Sequence, residues 1–455
     1  MTARYETFIK KFNGKRVAVL GFGVSNTPLV RLLLEAGAIV TVCDKREKSE
    51  FDPAVLEEFS AAEMRLGGNY LNGLDHDVIF RTPGMRPDLP EIASAVENGA
   101  VLTSEMEEFF ALCPCPIIGV TGSDGKTTTT TIIYELLKAE GKTCYVGGNI
   151  GTPLLARAGE MEADHIVVLE LSSFQLMTMK ASPEISVVTN IAPNHLDVHT
   201  SMEEYTEAKT NLYRNRADGR VVLNLDNEIT RELGAELSER ACFFSRKEDA
   251  YVCVKDGAIY RGDTRVLAVS DIRIPGLHNV ENYMAAIAAV EGLVSDETVR
   301  RVAREFAGVR HRMELVRELS GVKYYNDSIA SSPTRTIAGL RAFPQKVILI
   351  AGGKDKGVPF TELGVEAIEH CKAVVLNGPT MDVIYKSIVS APGYDPAKLP
   401  VYRCGSFEEA VACAHNIAQS GDIVTLSPAC TSFDRFKNFA ERGDYFRTLV
   451  GEFTE

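Results

Sequence analysis

The stretch Pro116–Thr131, reading PIIGVTGSDGKTTTTT, constrains this chain more than any other. Ile117, Ile118 and Val120 favour a strand, a glycine-rich turn follows at once, and Ile132, Ile133, Leu136 and Leu137 recur at helical spacing. Strand, turn and helix start in that order aim backbone N–H groups at one point, where they can hold a phosphate. Gly122, Ser123, Asp124 and Gly125 form the turn; Lys126 adds a point charge, and Thr127, followed by Thr128, an oxygen suited to Mg²⁺. Only the Gly-x-x-Gly-Lys-Thr core of the phosphate-loop pattern is present, because Val120 stands where the full pattern has its first glycine. An ordinary strand-to-helix turn is the plainer alternative. The lysine and hydroxyl at their proper offsets favour phosphate.

At 455 residues the chain is too long for one core, and two to four domains are expected. A net charge of −13 disfavours nucleic acid and anionic membranes as partners, since both select basic surfaces. The opening Met1-Thr-Ala-Arg-Tyr-Glu lacks the apolar stretch of a signal peptide, and no apolar run reaches membrane-spanning length. The expected location is the cytoplasm. Of the ten cysteines only Cys113 and Cys115 lie close in sequence, so all are read as small buried hydrophobes.

The pattern predicts three α/β domains, a central phosphate-loop domain with a parallel sheet flanked by two Rossmann-like domains, at 1–110, 111–308 and 309–455. In the first, Arg16–Leu20 enters the turn Gly21-Phe22-Gly23-Val24-Ser25, and Ile39–Asp44 is the next strand. Asp44 stands where a dinucleotide site has its ribose acceptor, but Asn26 replaces the third glycine of that fingerprint, so a nicotinamide site is the lesser reading. Val78–Arg81 ends in a second turn, Thr82-Pro83-Gly84, suited to a phosphate or sugar. In the second domain the strands Cys144–Val146, His165–Leu171, Ile185–Asn190 and Arg220–Leu225 are continuous apolar runs, as in a buried parallel sheet. Glu170, Asn190 and His195 lie at or beyond strand ends, where such sheets bind ligands. Residues 241–275 are expected to form a hairpin appendage around Lys255-Asp-Gly257. The third domain repeats the rhythm at Lys323–Tyr325, Lys346–Ala351, Ala373–Leu376 and Asp422–Leu426.

Glu170 closes an otherwise apolar strand and reads as a Mg²⁺ carboxylate acting with Thr127; a solvated strand-end acid is the alternative. His195-Leu-Asp-Val-His199 sits in a turn-rich stretch where spacing alone proves nothing. Lys209 falls on the apolar stripe of a helix from Met202 to Tyr213, with Tyr205 and Leu212. A buried ammonium must pair, snorkel or change its charge. Taken from the residues alone, snorkelling is the simpler reading, and carbamylation the more consequential. Asn279 and Asn282, three apart at a helix start, could present two amides to an adenine edge, or Asn279 could cap the helix.

Thr121–Thr128, Gly147–Gly151, Leu169–Gln175, His195–Asp197, Ala208-Lys209, Gly276–Asn282, His311-Arg312, Asn326–Ser328 and Ser427–Asp434 occur in the order found in the Mur ligases, and the chain resembles that family along its whole length. The last motif, continuing through Phe436-Lys-Asn-Phe439-Ala-Glu-Arg-Gly443, points to its D-glutamate-adding branch. The resemblance implies an amide ligase that uses ATP to activate the alanyl carboxylate of UDP-N-acetylmuramoyl-L-alanine as an acyl phosphate for attack by D-glutamate. It implies two Mg²⁺ sites, one on Thr127 and Glu170, one on His195 and a carbamylated Lys209. Lys126, His195, Lys209 and Asn149 become the catalytic set, with Asn149 touching the acceptor substrate. Asn279 and Asn282 would face adenine, and Arg312 and Asp327 would reach ATP. The turns 21–25 and 82–84 with Asp44 become the uridine diphosphate pocket. Ser331, Lys356, Ser432, Phe433 and Phe439 would hold D-glutamate. Ile329 departs from the family, which often has lysine there, and Arg335 or Lys354 is the expected surrogate charge. A monomer, a hinge near Gly308 and closure on substrates are further expectations. A folate-extending ligase and a nucleotide-sensing regulator are the competing readings; the first domain argues against the former, and NAD(H) binding without ATP turnover would select the latter.

Overall fold

Alternating apolar strands and amphipathic helices build three sheets in the computed structural model, which describes residues 3–454 except 24, 197 and 356; counts refer to those residues. The first sheet has the strands β1 (Arg16–Leu20), β2 (Ile39–Asp44), β3 (Glu63–Leu66), β4 (Val78–Arg81) and β5 (Val101–Thr103), ordered β3-β2-β1-β4-β5 and parallel throughout. The second holds β6 (Ile117–Thr121), β7 (Cys144–Gly148), β8 (Ile166–Glu170), β9 (Ile185–Val188), β10 (Arg220–Asn224), β11 (Ala241–Ser245), β12 (Val252–Lys255), β13 (Ala258–Arg261) and β14 (Thr264–Ala268), ordered β14-β13-β12-β11-β10-β9-β6-β8-β7. The third comprises β15 (Glu314–Leu319), β16 (Val322–Asn326), β17 (Val347–Ala351), β18 (Cys371–Leu376), β19 (Val401–Arg403) and β20 (Ile423–Leu426), ordered β15-β16-β20-β17-β18-β19 and parallel but for β15. The chain divides into two compact units, Met1–Leu267 with Glu281–Val302, and Ala268–Val280 with Ala303–Glu455.

Every residue of β6, β8 and β17 is buried, as expected of parallel strands covered on both faces. The predicted hairpin exists: Lys255 pairs Ala258, with Asp256 and Gly257 both at positive φ (48° and 71°), the turn that matches strand twist. It is not an appendage. β12 pairs parallel with β11, so the hairpin prolongs the central sheet, and its buried Val252, Ala258 and Ile259 required that partner. All ten cysteines are free thiols and most are buried. Among the described residues no helix is long and apolar enough to cross a membrane.

Candidate active site

β6 delivers the phosphate loop, and the helix Lys126–Ala139 leaves it. Gly125 caps that helix in the left-handed region (φ 77°), and a Cβ there would collide with Asn282 Oδ1. The loop is braced from several sides. Ser123 N–H donates to Asn190 O at 2.9 Å and Asp124 N–H to Asn190 Oδ1 at 3.0 Å. Ser123 Oγ lies 2.9 Å from Ala192 O and 3.0 Å from the Tyr205 hydroxyl. Thr129 Oγ1 donates to Asn282 Oδ1 at 3.1 Å. Lys126 Nζ folds back onto the carbonyls of Gly122 and Ser123, both at 2.9 Å, while Thr127 is half-buried in the first helical turn and Thr128 is buried.

Glu170 ends β8 fully buried, 1% exposed. Asn149 Nδ2 donates to its Oε1 at 2.8 Å, whereas Oε2 has no hydrogen-bond partner among the described residues. A buried carboxylate oxygen left unsatisfied is costly, and its chemistry suits a cation. Lys209, on the helix Met202–Arg214, overturns the snorkelling reading: it is 2% exposed. Its Nζ donates to Gly122 O at 2.7 Å, lies 3.5 Å from Thr121 Oγ1 and sits 4.6 Å from the Tyr205 ring centre. Burial, and then the like charge of Lys126, hold its pKa well below that of an ordinary lysine, against the pull of Asp124 and Glu170. Both effects favour the uncharged form of this amine at the foot of the phosphate loop.

His195 is exposed, adopts φ 56° and meets the Phe174 ring edge-on at 5.0 Å. His199 is the buried partner in that loop. Its ring stacks on Phe174 at 5.3 Å, and its Nε2 is 2.9 Å from Ser173 Oγ. Asn279 lies inside the helix Leu277–Ala289 rather than capping it, and its Nδ2 donates to Pro275 O at 2.5 Å. Asn282 is buried too, against the phosphate loop as described.

In the first sheet, Phe22 N–H donates to Asp44 Oδ2 at 2.7 Å, and Arg46 reaches both carboxylate oxygens. Burial pushes the Asp44 carboxyl up, but Arg46 and the backbone donors outweigh it and bring it down to about 2. Asn26 explains the missing third glycine: its Nδ2 closes the turn on Leu20 O and Gly21 O at 3.2 and 2.7 Å. Gly23 and Ser25 are exposed on that turn, Gly21 is half-buried and Phe22 is core; Val24 lies outside the described residues. Thr82 and Pro83 are half-buried and Gly84 is exposed. Sequence reasoning missed Arg81, which holds this second turn through Pro83 O and Met85 O, and Arg86, which follows it. The signal was a charged residue ending the otherwise apolar strand β4.

In the second unit, Asp327 is buried and accepts from Ser427 Oγ at 2.8 Å and Met313 N–H at 3.3 Å. Burial raises its carboxyl to about 7, although Ser427, Met313, Arg312 and Arg335 pull the other way. Arg335 therefore stands near this acid, whereas Lys354 pairs through its backbone with Thr431. Arg442, a further residue not foreseen, ties three segments together by donating from Nε to Ser328 Oγ and from Nη2 to the carbonyls of Ser328 and Cys430; Ser328 Oγ in turn donates to Phe439 O. Ser331 is half-buried, Ser432 is buried, Phe433 and Phe439 are exposed, and Lys356 lies outside the described residues. A crevice of about 160 Å³ in this unit, between Gly353, Gly378, Phe407 and Asp434, is lined by none of the expected site residues. Phosphate sites are made by loops and need no deep cavity.

Asp327 gives a signed pH dependence. Its unfolded pKa is near 3.8 and its folded value about 7, so between them the folded state keeps a proton that the unfolded state releases. Stability contributed at this position falls as pH rises from about 4 to about 7, by at most ~4 kcal/mol at 1.36 kcal/mol per unit. The stability of Asp327→Asn relative to the parent is expected to climb across that window and level off above pH 8, as read by urea titrations at pH 4, 6 and 8.

Models of three domains match the chain: the Mur ligase MurD-like N-terminal domain at residues 15–104, the Mur ligase middle domain at 120–290 and the Mur ligase glutamate ligase domain at 311–430. The UDP-N-acetylmuramoylalanine–D-glutamate ligase of Acetivibrio thermocellus is 51% identical over 465 residues, covering 99% of each chain. The protein of that name from Clostridium acetobutylicum is 49% identical over 458 residues, again covering 99% of each. Among solved structures, the UDP-N-acetylmuramate–alanine ligase of Thermotoga maritima shares the fold, with a TM-score of 0.58 at 20% identity, covering 96% of this chain and 99% of that one. Matched by models of all three domains, and along 99% of its length by these relatives, the chain belongs to the Mur ligase family.

Proposed function

We propose that this chain joins D-glutamate to UDP-N-acetylmuramoyl-L-alanine with hydrolysis of ATP, a step of peptidoglycan precursor synthesis in the cytoplasm, acting as a monomer. The observation that carries this reading is 51% identity along 99% of both chains to a relative bearing that activity in its name.

The alanyl carboxylate attacks the γ-phosphorus of ATP, ADP leaves, and the resulting acyl phosphate is attacked by the amine of D-glutamate. A tetrahedral adduct then expels phosphate and the nitrogen loses its proton, leaving an amide. The chemistry calls for positioning and charge neutralisation, not an enzyme nucleophile. The N–H groups of Gly122–Thr128 and the Lys126 ammonium hold the β- and γ-phosphates once Lys126 is drawn off its loop carbonyls. Asn149, fixed on Glu170, orients the acceptor carboxylate. Asn279 and Asn282 receive adenine, Arg312 and Asp327 engage ATP, and Ser331, Lys356, Ser432, Phe433 and Phe439 receive D-glutamate.

The orphaned Glu170 oxygen fits a cation, and Thr127 with Glu170 would hold one Mg²⁺, His195 with a modified Lys209 a second. Bound there, magnesium would neutralise phosphate charge. Lys209 as an ammonium would repel it. Its depressed pKa favours the free amine, which adds to carbon dioxide, forming an N–C bond and losing one proton, so that a neutral amine becomes an anionic ligand.

The test is phosphate release from ATP, Mg²⁺ and UDP-N-acetylmuramoyl-L-alanine with D-glutamate, L-glutamate, L-lysine or no amino acid. Turnover is expected with D-glutamate alone. Turnover with L-lysine instead would reassign the amino acid, and none with any would overturn the reading.

A further inference from the structure

Arg81 and Arg86 flank the turn Thr82-Pro83-Gly84, and each reaches past it to the central sheet's loops. Arg81 is 1% exposed. Its Nη1 donates to Pro83 O at 3.0 Å and Met85 O at 2.6 Å, while Nη2 donates to Phe174 O at 2.9 Å and Thr178 Oγ1 at 3.2 Å. Phe174 is the ring on which both His195 and His199 rest. Arg86 works on the other side. Its Nη1 donates to Val198 O at 2.7 Å, three residues beyond His195, and its two terminal nitrogens grip Glu204 at 3.2 and 2.9 Å. Glu204 belongs to the helix that carries Lys209, one and a half turns earlier, and also accepts Thr200 N–H at 2.6 Å. Arg86 is itself held by Asp88, at 2.8 and 2.7 Å.

A guanidinium presents its donors in a rigid fork, so its geometry passes a displacement on rather than absorbing it. Arg86 thus clamps the segment that follows this turn to the loop of His195 and to the helix of Lys209, while Arg81 clamps the turn itself to the Phe174 segment on which His195 packs. We propose that Arg86, seconded by Arg81, is a positioning residue that couples binding of the uridine diphosphate substrate at the 82–84 turn to binding of the magnesium nucleotide at the phosphate loop. The proposal rests on the functional reading above. Ordering the turn by substrate fixes Arg86, which fixes the Val198 carbonyl and Glu204, and so the two side chains offered to metal. Coupling of this kind is reciprocal: nucleotide must tighten substrate by the factor by which substrate tightens nucleotide.

The experiment is calorimetric titration of UDP-N-acetylmuramoyl-L-alanine into the full chain, with and without saturating Mg²⁺ and a non-hydrolysable ATP analogue, for the parent, Arg86→Met, Arg86→Lys and Glu204→Gln. The parent is expected to bind substrate at least about fivefold more tightly when nucleotide is present, the lower end of common coupling factors. In Arg86→Met that ratio should fall to within about twofold of one, with Arg86→Lys in between because an ammonium cannot grip both Glu204 oxygens. Glu204→Gln breaks the same link from the opposite side and serves if Arg86→Met does not fold, as judged by circular dichroism. A parent-like ratio in the folded variants would overturn the proposal, as would a parent ratio of one. A parent that does not bind the substrate at all would instead overturn the functional reading, and the clamp with it.

Discussion

Lys209→Met is expected to remain folded and to lose ligation by about 10²–10³-fold or more, the scale on which removing a preorganised charge acts. The two halves of that expectation come from one geometry. Lys209 is 2% exposed and donates a hydrogen bond to Gly122 O, a carbonyl that Lys126 also reaches at 2.9 Å. Replacing a buried amine by an apolar chain of similar length removes a desolvation penalty and leaves that carbonyl a partner, so folding is near-neutral. The pH dependence carries a sign. Because the folded pKa is depressed, the unfolded chain binds more protons in the window below the ordinary lysine value near 10.5, and this position adds stability as pH rises through that window. The methionine variant should lack that slope. A carbon-13 carbamate resonance from labelled bicarbonate should be present in the parent and absent in the variant. Full activity in Lys209→Met would end the metal-ligand role proposed for this residue.

Gly148→Ala is expected to destabilise the fold by roughly 3–5 kcal/mol and to abolish ligation, which places it in the exceptional tail of single substitutions. Gly148 closes β7 at φ 93°, directly opposite Glu170, and an added Cβ would overlap the Glu170 carbonyl oxygen. That carbonyl takes the Asn149 N–H at 2.8 Å while the Asn149 amide holds the Glu170 carboxylate, also at 2.8 Å. Any shift that relieves the overlap therefore moves both proposed site residues. Gly141→Ala is the matched control: its φ is 84°, yet nothing lies within 4 Å of the added carbon. It should show backbone strain alone, about 1–2 kcal/mol, with activity retained. Equal losses in the two variants, by chemical denaturation, would mean that strain and not the Glu170 contact sets the effect.

The apolar strands announced themselves in sequence, and the phosphate loop with them, because burial on both faces leaves no room for polar residues. Four strands did not: β3, β5, β15 and β19 are each the edge of a sheet. Edge strands are half solvated, so Glu63-Met-Arg-Leu66 or Glu314–Leu319 carries no continuous apolar run. Glu170 was legible as an acid ending an apolar strand, but its orphaned oxygen depends on where Asn149 arrives from β7. Lys209 was legible as a misfit on a helix stripe. Its direction was not, since a lysine stem can run to solvent or inward, and only the packing of that helix over β6 decides. His199 shows the same limit, for its burial comes from Phe174 and Ser173 on another element. The roles of Arg81, at a strand end, and Arg86, in the loop beyond it, were not legible, because they have acceptors in segments about a hundred residues away: Phe174 is 93 residues from Arg81, Val198 112 from Arg86.

The bond from Thr129 to Asn282 joins positions 153 residues apart, and the other props of the phosphate loop, Asn190 and Tyr205, also lie far downstream. Chains are made from the N-terminus at ~5–20 residues per second, so the ribosome needs roughly 8–30 s to supply Asn282 after Thr129. Through that interval the nascent polypeptide carries its nucleotide-binding motif without the side chains that shape it. ATP can therefore stabilise only a chain that extends past Asn282, and a product terminated before that residue gains no such protection from the nucleotide around it.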